Sequence, residues 1–239
     1  MSLRGDGVTR RFGDLLVLDR VDFEVHEGDA VGIVGPNGAG KTTLLSILAG
    51  ALRPTGGRVR LDGHDVTGMS PANRCRRGIA RAMQVPRPFG GMTVLENVFV
   101  GASNGAGLTG RAASARCVDV LETCGLVELA NRRADSLGLL HRKRLELARA
   151  LATGPRILLL DEIGGGLTDA EAADLVVTVR QLRERGIGIV WIEHIVHVLV
   201  QVVDRLVCMD AGRIIADGEP QSVLADAVVV DAYLGKAAS

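Results

Sequence analysis

The sequence predicts an α/β fold built on a mostly parallel core sheet. Three observations carry that expectation. The runs AVGIVG, RILLLDE and GIGIVWIEH are apolar without alternation, the pattern of strands buried on both faces. Helical stretches separate them, so strand and helix alternate along the chain. Between the first run and the helical stretch TTLLSILAG stands GPNGAGKTT, a glycine-rich turn of the kind that wraps backbone N–H groups around a phosphate.

Each further element has its own signal. Val21, Phe23 and Val25 alternate with Asp22, Glu24 and His26, which predicts a half-buried strand. RVRLDG alternates too, so a small antiparallel sheet is expected to lean on the parallel core. Thr93 to Glu96 and Thr168 to Glu171 both read as capping boxes that open helices. Gly125 suits a helix stop after Val118 to Cys124. Leu175, Val179 and Leu182 share one helical face. RLVCMDAGRIIADG predicts a hairpin turning at Asp210 to Gly212. The middle of the chain, roughly 86–144, reads as a helical insertion.

The 239 residues are 47% apolar and 23% charged, with zero formal net charge. That suits one large soluble domain or two small ones and lacks the basic excess of a general nucleic-acid binder. Five arginines between Arg74 and Arg87 read as a solvated face. The longest uncharged stretch, Asn97 to Gly110, is too polar to span a bilayer. The opening RGDGVTRRFGD carries no apolar signal segment. Cys75, Cys117, Cys124 and Cys208 show no paired spacing and are expected to be free thiols in a reducing cytoplasm.

The chemistry-bearing residues cluster around the glycine-rich turn. Gly35, Pro36, Asn37, Gly38, Ala39, Gly40, Lys41, Thr42 and Thr43 fit G-x-x-x-x-G-K-[ST]. The glycines let backbone N–H groups point at a phosphate, and the following helix adds favourable partial charge. Lys41 is placed to reach the outer phosphates and Thr42 to ligate Mg²⁺. Asp161, ending a buried strand, is expected to hold Mg²⁺ through water, and Glu162 to polarise an attacking water. His194 ends the next buried strand, at the sheet edge where ligands bind in open α/β folds. His197 reads as a surface or packing residue.

In this order the motifs resemble an ABC-type ATPase. Phe12 in RRFG falls where that family places an aromatic against adenine. GPNGAGKT resembles its Walker A loop, Gln84 in RAMQ its Q-loop glutamine, LLLDE its Walker B strand with the catalytic glutamate, and His194 its switch histidine. The resemblance implies a single P-loop ATPase domain over 3–236, with core segments 3–85 and 145–236 and a helical subdomain at about 86–144. It also implies ATP and Mg²⁺ as cofactors, with Thr42, Gln84 and Asp161 at the metal and His194 contacting the γ-phosphate.

RRGIARAMQVPRPFGGMTVLENVFVGA and the ending GRIIADGEPQSVLAD…AYLG further resemble the ATP-binding subunits of branched-chain amino-acid importers. Related subfamilies serve urea, amides or lipopolysaccharide export. The implied partners are transmembrane permease subunits, docked through PRPFGGMTVLENV, a second ATPase subunit and, indirectly, a substrate-binding protein. The implied location is the cytoplasmic face of the membrane, with no nucleic-acid partner.

The sequence departs from that family at the signature loop, typically LSGGQ, which each subunit offers to the ATP held by its partner. Here it reads Leu137-Gly138-Leu139-Leu140-His141. Gly138 replaces the serine, Leu139 and Leu140 the glycines, and His141 the glutamine. Branched side chains disfavour positive φ and close backbone approach, so a weakened contact is expected. Ile163 and Thr168 also depart from the usual proline and D-loop residue. A heterodimer, in which another subunit supplies a normal signature, accounts for this; a workable variant signature backed by the basic run His141 to Arg144, in a homodimer, is the rival. Beside the transport ATPase stand two other readings, a weakly hydrolysing regulatory subunit and a soluble ABC ATPase without a transporter.

Overall fold

The computed structural model describes residues 1–234. Its strands are β1 (Ser2–Phe12), β2 (Leu15–His26), β3 (Ala30–Val34), β4 (Gly56–Leu61), β5 (His64–Asp65), β6 (Ile79–Ala82), β7 (Ile157–Asp161), β8 (Gly188–Ile192), β9 (Arg205–Asp210) and β10 (Arg213–Gly218). Its α-helices are α1 (Lys41–Leu48), α2 (Pro71–Arg76), α3 (Val94–Val100), α4 (Gly110–Thr123), α5 (Leu139–Ala152), α6 (Asp169–Glu184), α7 (Val196–Leu199), α8 (Pro220–Ala225) and α9 (Ala227–Leu234). The expected domain end at 236 lies outside the described residues.

Two sheets frame the molecule. The larger has the order β10-β9-β3-β8-β7-β6 and is parallel except for the β9–β10 hairpin. The smaller, β2-β1-β4-β5, is antiparallel throughout. The hairpin turns where expected: Ala211 and Gly212 both take positive φ, as a two-residue primed turn requires.

Every residue of β3, β7 and β8 is buried. Their alternate side chains feed two cores. Ile33, Leu159, Val190 and Ile192 pack with Leu44, Ile47 and Leu48 of α1, which lies between the two sheets. Leu158, Leu160 and Trp191 face the other way, against α5 and α6. The same cluster includes Val98, Cys117 and Leu121 of the helical segment, so that segment shares the core of the large sheet. Helix α5 itself runs across residue 144, where the sequence suggested a boundary.

Both capping boxes form: Thr93 Oγ1 accepts from Glu96 N–H at 3.2 Å and Thr168 Oγ1 from Glu171 N–H at 3.4 Å. The four cysteines are free. Three strands had no clear sequence signal, among them β5, which is only two residues long. β1 carries register shifts that break its alternation, and β6 is a four-residue sheet edge interrupted by Arg81.

The arginine-rich run is a correction. Arg74 is fully buried and donates to the carbonyls of Ile47, Leu48, Val66 and Thr67. It thereby caps the end of α1, the helix whose beginning is the phosphate loop. A cation suits a helix C-terminus, where unpaired carbonyls gather. Arg81 is nearly buried as well and lies in the site described next.

Candidate nucleotide site

Strand β3 stops at Val34 and the chain curls through three glycines of positive φ, Gly35, Gly38 and Gly40, before α1 begins at Lys41. Gly35 permits no side chain: a Cβ there would lie 2.0 Å from the Met209 carbonyl oxygen. The curl leaves a pocket of about 180 Å³ lined by Val17, the loop from Asn37 to Thr43, and Glu162. Lys41 Nζ donates to the carbonyls of Gly35 (2.7 Å) and Pro36 (3.0 Å). Burial holds its pKa below the usual lysine value, against the pull of nearby Glu162 and Asp161.

The end of β7 brings two carboxylates to this loop, and the chain just past β8 brings a histidine to them. Thr42 Oγ1 donates to Asp161 Oδ1 at 3.1 Å, and the Arg81 guanidinium donates to Asp161 Oδ2. Glu162 takes a left-handed conformation, φ 49°, tied by its N–H to the Ile192 carbonyl at 2.9 Å. A non-glycine residue held there costs roughly 1–3 kcal/mol and persists only where its surroundings impose it. The effect is to aim the Glu162 carboxylate between two side chains. Gln84 Nε2 donates to Oε2, and His194 Nε2 lies 3.0 Å from Oε1.

The structure thus brings together Lys41, Thr42, Gln84, Asp161, Glu162 and His194. Phe12 stands apart from the phosphate-loop pocket. It sits at the β1–β2 tip, 46% exposed, with the Arg10 guanidinium 4.3 Å over its ring. His197 is exposed, as read.

Three residues of this region escaped the sequence reading. Arg81 neutralises Asp161, and in the sequence nothing sets it apart from the other arginines of its run. Glu193 is buried beside His194 and accepts from the Gly164 N–H at 2.6 Å, and burial raises its pKa. Lys143, also buried, donates to the Ile163 carbonyl at 3.0 Å. Burial lowers its pKa, and nearby Glu193 and Glu162 oppose the shift. Lys143 and Glu193 therefore grip neighbouring residues of the turn after β7, one from α5 and one from just past the end of β8.

The signature segment differs from expectation in one respect. Gly138 is the N-cap of α5 (φ −68°, ψ 170°), and Leu139 and Leu140 form its first turn, so neither needs positive φ. The first N–H groups of α5 remain without helical partners, as at any helix start. What the leucines change is the surface: Leu139 is 49% exposed, and Gly138 has no side chain to cap the helix.

A strand-loop-helix phosphate cradle, faced by strand-end carboxylates and a histidine, defines a P-loop ATPase of the ATP-binding-cassette class. The family model of the ABC transporter matches residues 18–164, and the chain belongs to that family. A second model, the branched-chain amino acid ATP-binding cassette transporter, matches residues 213–239. The high-affinity branched-chain amino acid transport ATP-binding protein BraF of Pseudomonas aeruginosa is 38% identical, with 98% of each chain covered. A probable branched-chain amino acid transport ATP-binding protein of Methanocaldococcus jannaschii is 34% identical over 98% of this chain and 97% of its own. A nucleotide-free ATP-binding cassette from an ABC transporter superposes with a TM-score of 0.88 at 33% identity, covering 98% and 99%. An ADP-bound cassette gives 0.87 at 34% identity, also over 98% and 99%. The chain is an ATPase subunit of the ABC transporter type.

Proposed function

We propose that this chain hydrolyses MgATP to drive uptake of branched-chain or related amino acids or amides through separate membrane subunits. The substrate class rests on the names of its relatives and on the C-terminal family match. The hydrolytic roles rest on one observation: the Glu162 carboxylate stands at the rim of the phosphate-loop pocket, held by Gln84 and His194. There Glu162 orients and polarises the attacking water. Lys41 leaves the loop carbonyls for the β- and γ-phosphates, and His194 meets the γ-phosphate. Residues 3–236 act as one unit, with 86–144 as its helical subdomain, and Phe12 flanks the adenine.

The donor set fits magnesium: the Thr42 hydroxyl and the Asp161 carboxylate are hard oxygen ligands, with Gln84 alongside. Among the described residues no cluster of three or more acidic, His or Cys side chains could cage a metal, which suits an ion shared with phosphates. When bound, Mg²⁺ supplies charge neutralisation at the phosphate oxygens. Arg81 must then yield or share Asp161.

Among the described residues no helix is long and apolar enough to cross a membrane. The membrane subunits would dock on the helical segment, where Met92, Leu95, Phe99 and Val118 line an apolar groove of about 340 Å³. Docked there, the chain would act from the cytoplasmic face.

A second ATPase subunit completes each site. The exposed Leu139 and the bare Gly138 favour a heterodimer whose partner supplies a normal signature to the site on Lys41 and Glu162. The test compares ATP turnover of the purified chain alone, of the chain with its membrane and ATPase partners, and of Glu162→Gln in each. Turnover that appears only in the complex and is lost with Glu162→Gln is expected. Full turnover by the chain alone would remove the heterodimer, and turnover surviving Glu162→Gln would remove the role of Glu162. Uptake of labelled leucine by vesicles carrying the complex tests the substrate class.

A further inference from the structure

The molecule has a single tyrosine, Tyr233, and α9 carries it to the base of the phosphate loop. Helix α9 is anchored by Val229, which is buried in the main core. Tyr233 follows four residues later, on the same helical face. Its hydroxyl oxygen accepts the Gly35 N–H at 2.7 Å. The carbonyl of the same glycine accepts from Lys41 Nζ at 2.7 Å. Gly35 is therefore gripped from both sides, by the C-terminal helix on its N–H and by the phosphate-binding lysine on its carbonyl.

On the strand side of Gly35 the Met209 carbonyl is close enough to exclude a Cβ. Cys208, paired in register with Val34, is buried below the loop, and its thiol is pushed up to about 11, first by burial. Burial also raises the Tyr233 hydroxyl, so it stays protonated at neutral pH and presents a neutral oxygen to the N–H.

We propose that Tyr233 is a positioning residue for nucleotide binding, which holds the base of the phosphate loop in its phosphate-ready curl and couples α9 to the nucleotide. The proposal rests on the reading of Gly35 to Thr43 as the ATP phosphate site. Its physical basis is preorganisation: N–H groups that already converge need not be ordered when phosphate arrives. The loop carbonyls must also release Lys41 to the nucleotide, and Gly35, still held at its N–H by Tyr233, can lose the lysine at its carbonyl without the curl opening. By linkage, whatever α9 contributes to ATP binding, ATP must return to the stability of α9.

The experiment measures MgATP affinity of the full-length chain by titration calorimetry for wild type, Tyr233→Phe and Lys41→Ala. Hydrogen exchange of residues 227–234 is followed with and without MgATP. Tyr233→Phe keeps the ring and removes only the hydroxyl, and circular dichroism verifies its fold. A Kd raised about five- to tenfold is expected, together with slower exchange of α9 in wild type on adding MgATP that Tyr233→Phe loses. A Kd within twofold of wild type overturns the role of Tyr233. Unchanged affinity in Lys41→Ala would instead overturn the phosphate-site reading, so the two failures are distinguishable.

Discussion

Replacing Arg74 by Met tests whether a buried cation holds the far end of the phosphate-loop helix. Arg74 makes four hydrogen bonds to carbonyls, at 2.6, 2.8, 2.8 and 3.2 Å. Two of those carbonyls keep another donor: Ile47 is also met by the Gly50 N–H and Val66 by the Met69 N–H. Leu48 and Thr67 lose the partner that Arg74 gives them. At about 1–3 kcal/mol for each orphaned buried group, the loss is about 2–6 kcal/mol, and local relaxation puts the expectation near 3–4 kcal/mol. Burial pushes the Arg74 pKa down to about 10, so the side chain is charged at neutral pH and its bonds are charge-assisted. Arg74→Lys keeps the charge but not the planar fork, and is expected to lose roughly half as much. Urea unfolding at pH 7 measures both. The midpoint should fall with an unchanged slope, and the Met variant should melt lower by about 2–4 °C per kcal/mol lost. A loss below about 1 kcal/mol, less than a single orphaned buried carbonyl costs, would refute the capping role.

Other outcomes follow from single contacts. Gly35→Ala places a methyl 2.0 Å from the Met209 carbonyl at a φ of 141°, so it should abolish ATP binding and destabilise by more than about 3 kcal/mol, read by calorimetry and thermal melting. Gly138→Ser meets open space at an extended N-cap, so the new hydroxyl should stabilise α5 by a few tenths, roughly 0.3 kcal/mol. In the heterodimer it should raise turnover at the site on the partner subunit, measured with the other site silenced by Glu162→Gln; no rise would exclude the missing hydroxyl as the defect. Glu27 is held at about 2 by hydrogen bonds from Arg156 and the N-terminus. A depressed carboxyl stabilises above its unfolded value and loses that contribution as the pH falls through the folded one. Wild type should therefore lose stability relative to Glu27→Gln between about pH 4.5 and 2, and parallel pH profiles in urea would count against the ion pair.

Legibility followed the range of the interactions. Gly35 to Thr43 could be read because the chemistry is local: contiguous glycines, a lysine and a threonine bend one piece of backbone. Strands β3, β7 and β8 could be read because burial on both faces writes an uninterrupted apolar run. The capping boxes of α3 and α6 are four-residue events. Arg74 could not be read, since arginines in a polar helical stretch look alike whether they meet water or carbonyls. Leu139 and Leu140 looked like a broken loop, yet the chain simply starts α5 at Leu139. Residue type alone suggested a strain that the backbone avoids.

By itself, then, the sequence determined the α/β class, the phosphate loop and the order of the residues that face it. These depend on neighbours a few positions apart and on periodicity. The tertiary structure alone decided which charges are paired and what steadies the loop. Arg81 meets Asp161 across 80 positions, His194 meets Glu162 across 32, and Tyr233 meets Gly35 across 198. The first two arise because packing six strands side by side brings strand ends together in space while leaving them far apart in the chain, and the third because α9 packs back against the core of that sheet. Burial then strips away the water that would otherwise make each of these polar groups independent of the rest.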